Sequence, residues 1–130
     1  MTTPYELIGG DERISGLVDA FYRHMSEAPH AQGIRAMHPE DLTHTHAVLK
    51  LYFREWMGGP KDYSAQRGHP RLRMRHMPFA IGEAERDAWL RCMEAALVDI
   101  GASDDLRRHL MGAFAPLADW MRNSETGGGA

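Results

Sequence analysis

His76 closes the run Gly68-His69-Pro70-Arg71-Leu72-Arg73-Met74-Arg75-His76-Met77-Pro78-Phe79, in which three spaced arginines lead to one histidine and a proline then stops the helix. The apolar residues of the run suit a flat, oily ligand. An axial histidine on a porphyrin iron wants this company: a neutral ring nitrogen for the metal, greasy walls for the macrocycle and cations for the carboxylates at its edge. Neither a histidine nor an acid stands at the i+4 spacing that would make His76 half of a helical zinc pair. A one-histidine haem site is the chemistry these residue types fit.

Arg67, Arg71, Arg73 and Arg75 read either as a solvated face or as an anion clamp, since a guanidinium fork pairs with a carboxylate at two points. The basic run is short and the whole chain carries a net charge of -3, so its field makes no electrostatic case for nucleic acid or an anionic membrane. Tyr22 and Trp89 read either as core residues or as hydrogen-bond donors. A buried phenol and a buried indole N–H need partners, and a bound dioxygen carrying partial negative charge is an acceptor for both. Each such bond is worth about 1.5–3 kcal/mol, enough to slow ligand escape roughly tenfold to over a hundredfold. Of the eight histidines, His24, His30, His44 and His109 fall off the apolar stripes or beside turns and read as surface residues. The single cysteine, Cys92, excludes an internal disulfide and a multi-cysteine metal site, fits a reducing cytoplasm and reads as core packing.

The elements that must position these residues are helical, because apolar residues recur with period 3.6 and no alternating run is long enough for a strand. The chain has 130 residues, 43% hydrophobic and 25% charged, which fits one all-α domain over residues 1–123 and a flexible glycine-rich tail over 124–130. Thr3-Pro4-Tyr5-Glu6 starts a very short helix that Gly9-Gly10 ends. From Asp11, the stripe Ile14, Leu17, Val18, Phe21, Tyr22 and Met25 predicts a long helix ending before Pro29. Residues 31–39 read as a connection. A second stripe of Val48, Leu49, Tyr52, Phe53, Trp56 and Met57 runs to Gly58-Gly59-Pro60, and residues 58–70 read as an extended loop. Trp89, Cys92, Met93, Ala96, Leu97 and Ile100 mark a third long helix closed by Gly101. Ser103 caps the last, whose core face is Leu106, Leu110, Phe114, Leu117 and Met121, with Pro116 predicted to kink or break it. No run approaches the roughly 18 consecutive apolar residues that span a bilayer, and the chain reads as cytoplasmic.

Taken together, Phe21-Tyr22, His38-Pro39, Trp56-Met57-Gly58-Gly59-Pro60, the run from Gly68 to His76, Pro78-Phe79 and Glu85-Arg86-Asp87-Ala88-Trp89 give a specific pattern. Over about Pro4 to Leu97 the chain resembles the group II truncated haemoglobins. The resemblance implies a two-over-two helical sandwich around haem b, with His76 as the proximal iron ligand and Tyr22, His38 and Trp89 on the distal side. It places Tyr63 and Arg75 at haem propionates, and Leu49, Tyr52, Phe53 and Phe79 along the haem. Counting back from Gly58-Gly59-Pro60 puts Thr45 at the distal gate, with His46 adjacent, and Leu49 one turn further on. His38 stands where relatives often carry Tyr or Phe, which makes one distal group titratable near neutral pH.

The function expected from these residues is binding of dioxygen, and of carbon monoxide or nitric oxide, at ferrous iron with slow release, suited to scavenging, sensing or redox protection. A reductase would keep the iron ferrous. Two other classes are open: a haem enzyme turning over peroxide or nitric oxide, and a cofactor-free helical module docking an acidic partner on Arg67 to Arg75. Either a monomer or a homodimer is compatible with the helix patterns.

Overall fold

A computed structural model describes residues 3–68, 74, 76–77 and 79–123. Its first helix, α1 (Pro4–Ile8), starts where Thr3 Oγ1 accepts from the Glu6 N–H at 3.2 Å. It is anchored at the far end of the Trp56-Met57-Gly58-Gly59-Pro60 motif, where the Tyr5 N–H donates to the Met57 carbonyl at 2.9 Å. A Cβ on Gly59 would lie 2.4 Å from the Tyr5 ring and 2.8 Å from the Arg54 carbonyl. Only glycine lets the two segments approach this closely.

The long helices are α2 (Asp11–Glu27), α4 (Thr43–Trp56), α6 (Glu83–Asp99) and α7 (Asp104–Trp120). Helix α2 packs on both α4 and α6, and α6 packs on α7, so two helix pairs cross as a two-over-two sandwich. The predicted stripe of α2 is buried from Ile14 to Met25. An aromatic cluster joins all four: Trp89 on α6 meets Phe21 on α2 at 5.2 Å and Phe114 on α7 at 5.6 Å, and Phe114 meets Phe53 and Trp56 on α4 at 5.4 and 4.8 Å between ring centroids. Phe114 is fully buried at this junction. Phe114→Ala is expected to destabilise the fold by about 3–5 kcal/mol, read as a lower urea midpoint with an unchanged slope. At the opposite end Asp99 accepts from His24 at 2.6 Å and also pairs with Arg23, which fastens α6 to α2 and gives one of the surface histidines a partner.

Three local expectations are corrected. The connection over residues 31–39 contains a 3-10 turn, Pro29–Ala31, and a helix, α3 (Gln32–Ala36), which buries Ile34 against the core. The loop after Gly58 contains α5 (Asp62–Arg67), held by Arg54 on Asp62 at 3.1 Å and by the Ser64 N–H on Glu55 at 3.0 Å. Pro116 does not break the last helix, which continues through it to Trp120. Ser103 caps that helix as expected, its Oγ accepting from the Leu106 N–H at 3.1 Å, after a turn at Gly101 with φ 78°. Met74 and His76 are helical; Arg71, Arg73, Arg75, Pro70, Pro78 and the tail lie outside the described residues.

Candidate functional site

Between the two helix pairs lies a cavity of about 310 Å³ with mainly apolar walls. Helix α4 supplies Leu49, Tyr52 and Phe53, which the i, i+3, i+4 spacing stacks on one face. Helix α7 supplies Leu117, Ala118 and Met121, and the segment before α6 supplies His76, Phe79 and Ile81. Tyr22 of α2, Trp89 of α6 and His38 add polar groups to the wall, with Glu85 and Arg86 in the first turn of α6. Tyr22 and Trp89, 67 positions apart in sequence, thus face one space with His76.

Tyr22 is 4% exposed, with its ring edge-on to Phe21 at 5.0 Å and stacked on His46 at 4.5 Å. Burial pushes its phenol well above the ordinary tyrosine range, so the hydroxyl keeps its proton and stays a donor at any physiological pH. Among the described residues that hydroxyl makes no hydrogen bond, and neither does the Trp89 indole N–H. His38 lies edge-on to Tyr22 at 5.9 Å, and its Nδ1 is 2.8 Å from the Ile34 carbonyl. A carbonyl only accepts, so Nδ1 carries the proton and the neutral ring presents Nε2 as an acceptor. Burial depresses the His38 pKa below 6.5, with the nearby charges of Arg35 and His76 acting the same way and the Ile34 bond opposing them.

Of the residues singled out in the sequence, Tyr22, His38, Leu49, Tyr52, Phe53, His76, Phe79 and Trp89 line the cavity. Thr45 is half-buried and not among the lining residues. His46, its neighbour, turns to the Tyr22 ring and to Asp19, whose carboxylate is 3.2 Å from Nδ1. Tyr63 is 2% exposed behind the wall, its ring 5.7 Å from that of Tyr52 with the Arg67 guanidinium 6.0 Å above it. Arg75 lies outside the described residues. Ile34, Met37, Ile81 and Ala118 also line the cavity and were not singled out, and Glu85 and Arg86 of the motif that ends in Trp89 line it too. Arg86 stands one turn before Trp89, so helical spacing pointed at it, whereas for Met37 the signal was its place next to the His38-Pro39 pair.

The bacterial-like globin family matches residues 3–123 of this chain. The group 2 truncated haemoglobin YjbI of Bacillus subtilis is 39% identical over 120 residues, which cover 92% of this chain and 88% of that protein. The chain belongs to the group II truncated haemoglobins. Among solved structures, the group II 2-on-2 haemoglobin of Agrobacterium tumefaciens superposes with a TM-score of 0.91 at 39% identity, covering 96% of this chain and 97% of that one. The truncated oxygen-avid haemoglobin of Bacillus subtilis superposes at 0.85 and 38% identity, covering 94% and 100%. A haem-binding globin fold that takes diatomic ligands reversibly is therefore the functional frame of this chain. Membership favours haem over the cofactor-free docking module. No described helix is long and apolar enough to cross a membrane.

The residues present fit the haem that this family implies. The cavity is broad and apolar, the His76 imidazole faces it together with the Tyr22, His38 and Trp89 side chains, and two donors without hydrogen bonds among the described residues sit in its wall. That is the donor set a flat apolar group carrying an iron would require.

Proposed function

We propose that this truncated haemoglobin holds haem b through His76 and binds dioxygen tightly with slow release, in the cytoplasm. Bound haem supplies a ferrous centre that takes dioxygen, carbon monoxide or nitric oxide. His76 would hold the iron, Tyr63 and Arg75 would pair with the propionates, and Leu49, Tyr52, Phe53 and Phe79 would exclude water from the macrocycle. Tyr22 and Trp89 donate to a ligand in the cavity, with Thr45 one turn from Leu49 at the route inward. A reductase is the proposed electron source. The observation that carries the reading is the Tyr22 hydroxyl, nearly buried, protonated and free of hydrogen bonds to the described residues in the cavity that His76 shares. That the Bacillus subtilis homologue is described as oxygen-avid supports it.

Slow release suits scavenging or sensing rather than bulk transport. Turnover of peroxide with a phenolic donor is expected to be no faster than that of free haemin; a clearly faster rate would move the protein to the enzyme class.

His38 gives the release a direction with pH. Below the ordinary histidine pKa of 6.5 the ring gains a proton at Nε2, because Nδ1–H is already given to Ile34. Nε2 then changes from acceptor to donor and joins Tyr22 and Trp89 in holding the ligand. The dioxygen dissociation rate, followed by displacement with carbon monoxide, is expected to be flat above pH 6.5 and to fall below it. His38→Phe should flatten the profile. Equal rates in wild type between about pH 5 and pH 8 would remove His38 from the ligand network.

A further inference from the structure

We infer that Asn123 is a positioning residue for His76, an inference that rests on His76 being the axial ligand. Asn123 lies three residues beyond α7 and is half-buried. Its side chain and backbone make four hydrogen bonds to the segment that carries His76. Asn123 Nδ2 donates to the His76 carbonyl at 3.3 Å and to the Phe79 carbonyl at 2.8 Å. Its Oδ1 accepts from the Ile81 N–H at 2.9 Å, and its own N–H donates to the Ile81 carbonyl at 2.8 Å.

The clamp reaches this segment from outside it. Bonds to the His76 and Phe79 carbonyls and to both backbone polar groups of Ile81 bear directly on the backbone that sets the angle of the imidazole. A planar amide with one acceptor and two donors meets three backbone groups at once, which neither a carboxylate nor a hydroxyl can do. The carbonyl of His76 also accepts from the Phe79 N–H at 3.0 Å, so the clamp holds a turn that is already closed. Its footing is firm: Asp119 in the last turn of α7 accepts from Arg86 at 2.7 Å and from Arg122 at 3.2 Å, which ties that helix end to the first turn of α6. Phe79 and Ile81 line the same cavity as His76, as does Met121, two residues before Asn123.

A backbone held at His76, Phe79 and Ile81 leaves the ring a narrow range of tilts toward an iron. Removing the clamp widens that range and weakens the axial bond.

The test compares the haem-loaded wild type with Asn123→Ala and Asn123→Asp. The aspartate keeps the shape and the acceptor for Ile81 but has no donors at neutral pH, and it decides the matter should the alanine variant not fold. The iron–histidine stretching band of the ferrous protein, read by resonance Raman, is expected to shift and broaden in both variants. Haem transfer to an excess of a scavenging apoprotein should be about tenfold faster, the low end of what the loss of an orienting partner costs a metal site. The Ile81 amide should lose hydrogen-exchange protection in the alanine variant and keep it in the aspartate. A band identical to that of wild type in a folded variant would overturn the inference, even if haem were lost faster. A wild type without any iron–histidine band would instead overturn the assignment of His76.

Discussion

His76→Ala is expected to lose the stoichiometric haem complex and its reduced carbon monoxide spectrum. Among the described residues that line the cavity, the other imidazole is His38. That ring is committed through Nδ1 to the Ile34 carbonyl, on a loop tied down by Arg35 donating to the carbonyls of Pro39 and Glu40 at 3.0 Å each. It cannot move to replace His76 without giving up this local network. Loss of a group that hydrogen-bonds a metal ligand costs the site roughly 10–100-fold in affinity, and loss of the ligand itself should cost more than that. Residual haem held by the apolar walls would give an altered spectrum that exogenous imidazole restores. A variant with the affinity and spectrum of wild type would place the axial ligand elsewhere.

Tyr22→Phe is expected to speed dioxygen release by roughly tenfold to over a hundredfold, from the 1.5–3 kcal/mol that a hydrogen bond to a charged acceptor is worth. The substitution removes one oxygen atom and leaves the ring in its contacts with Phe21 and His46. The variant should therefore be as stable as wild type when no ligand is bound. Release then changes while stability does not, which a packing defect would not produce. Trp89→Phe should act in the same sense, and the double variant should fall short of the sum if the two donors share one ligand. An unchanged release rate in Tyr22→Phe would show that the phenol does not reach the ligand.

The long helices were legible because each repeats its apolar residues over several turns, as Ile14 to Met25 does on α2. Tyr22 was legible for the same reason, and its unusual chemistry followed from its place on that stripe. The two short helices were not. Five residues in α3 and six in α5 hold little more than one turn of pattern, and their stability comes from partners elsewhere, such as the buried Ile34 and the Arg54 contact with Asp62. At Pro116, where the sequence allowed a kink or a break, the helix runs on to Trp120, with Phe114 two residues earlier fully buried in the core. The stacking of His46 on Tyr22 depends on a side-chain rotamer that spacing does not encode. Asn123 was invisible because its partners are 42, 44 and 47 residues away, and an asparagine after a helix reads as an ordinary turn residue.

The most direct measurement of the central claim is an absorption titration of the purified chain with haem, followed by reduction and addition of carbon monoxide. A break at one equivalent and a single, sharp carbon monoxide complex distinct from that of free haem are the predicted result. Absorbance that rises without a break, with the spectrum of free haem throughout, would contradict it.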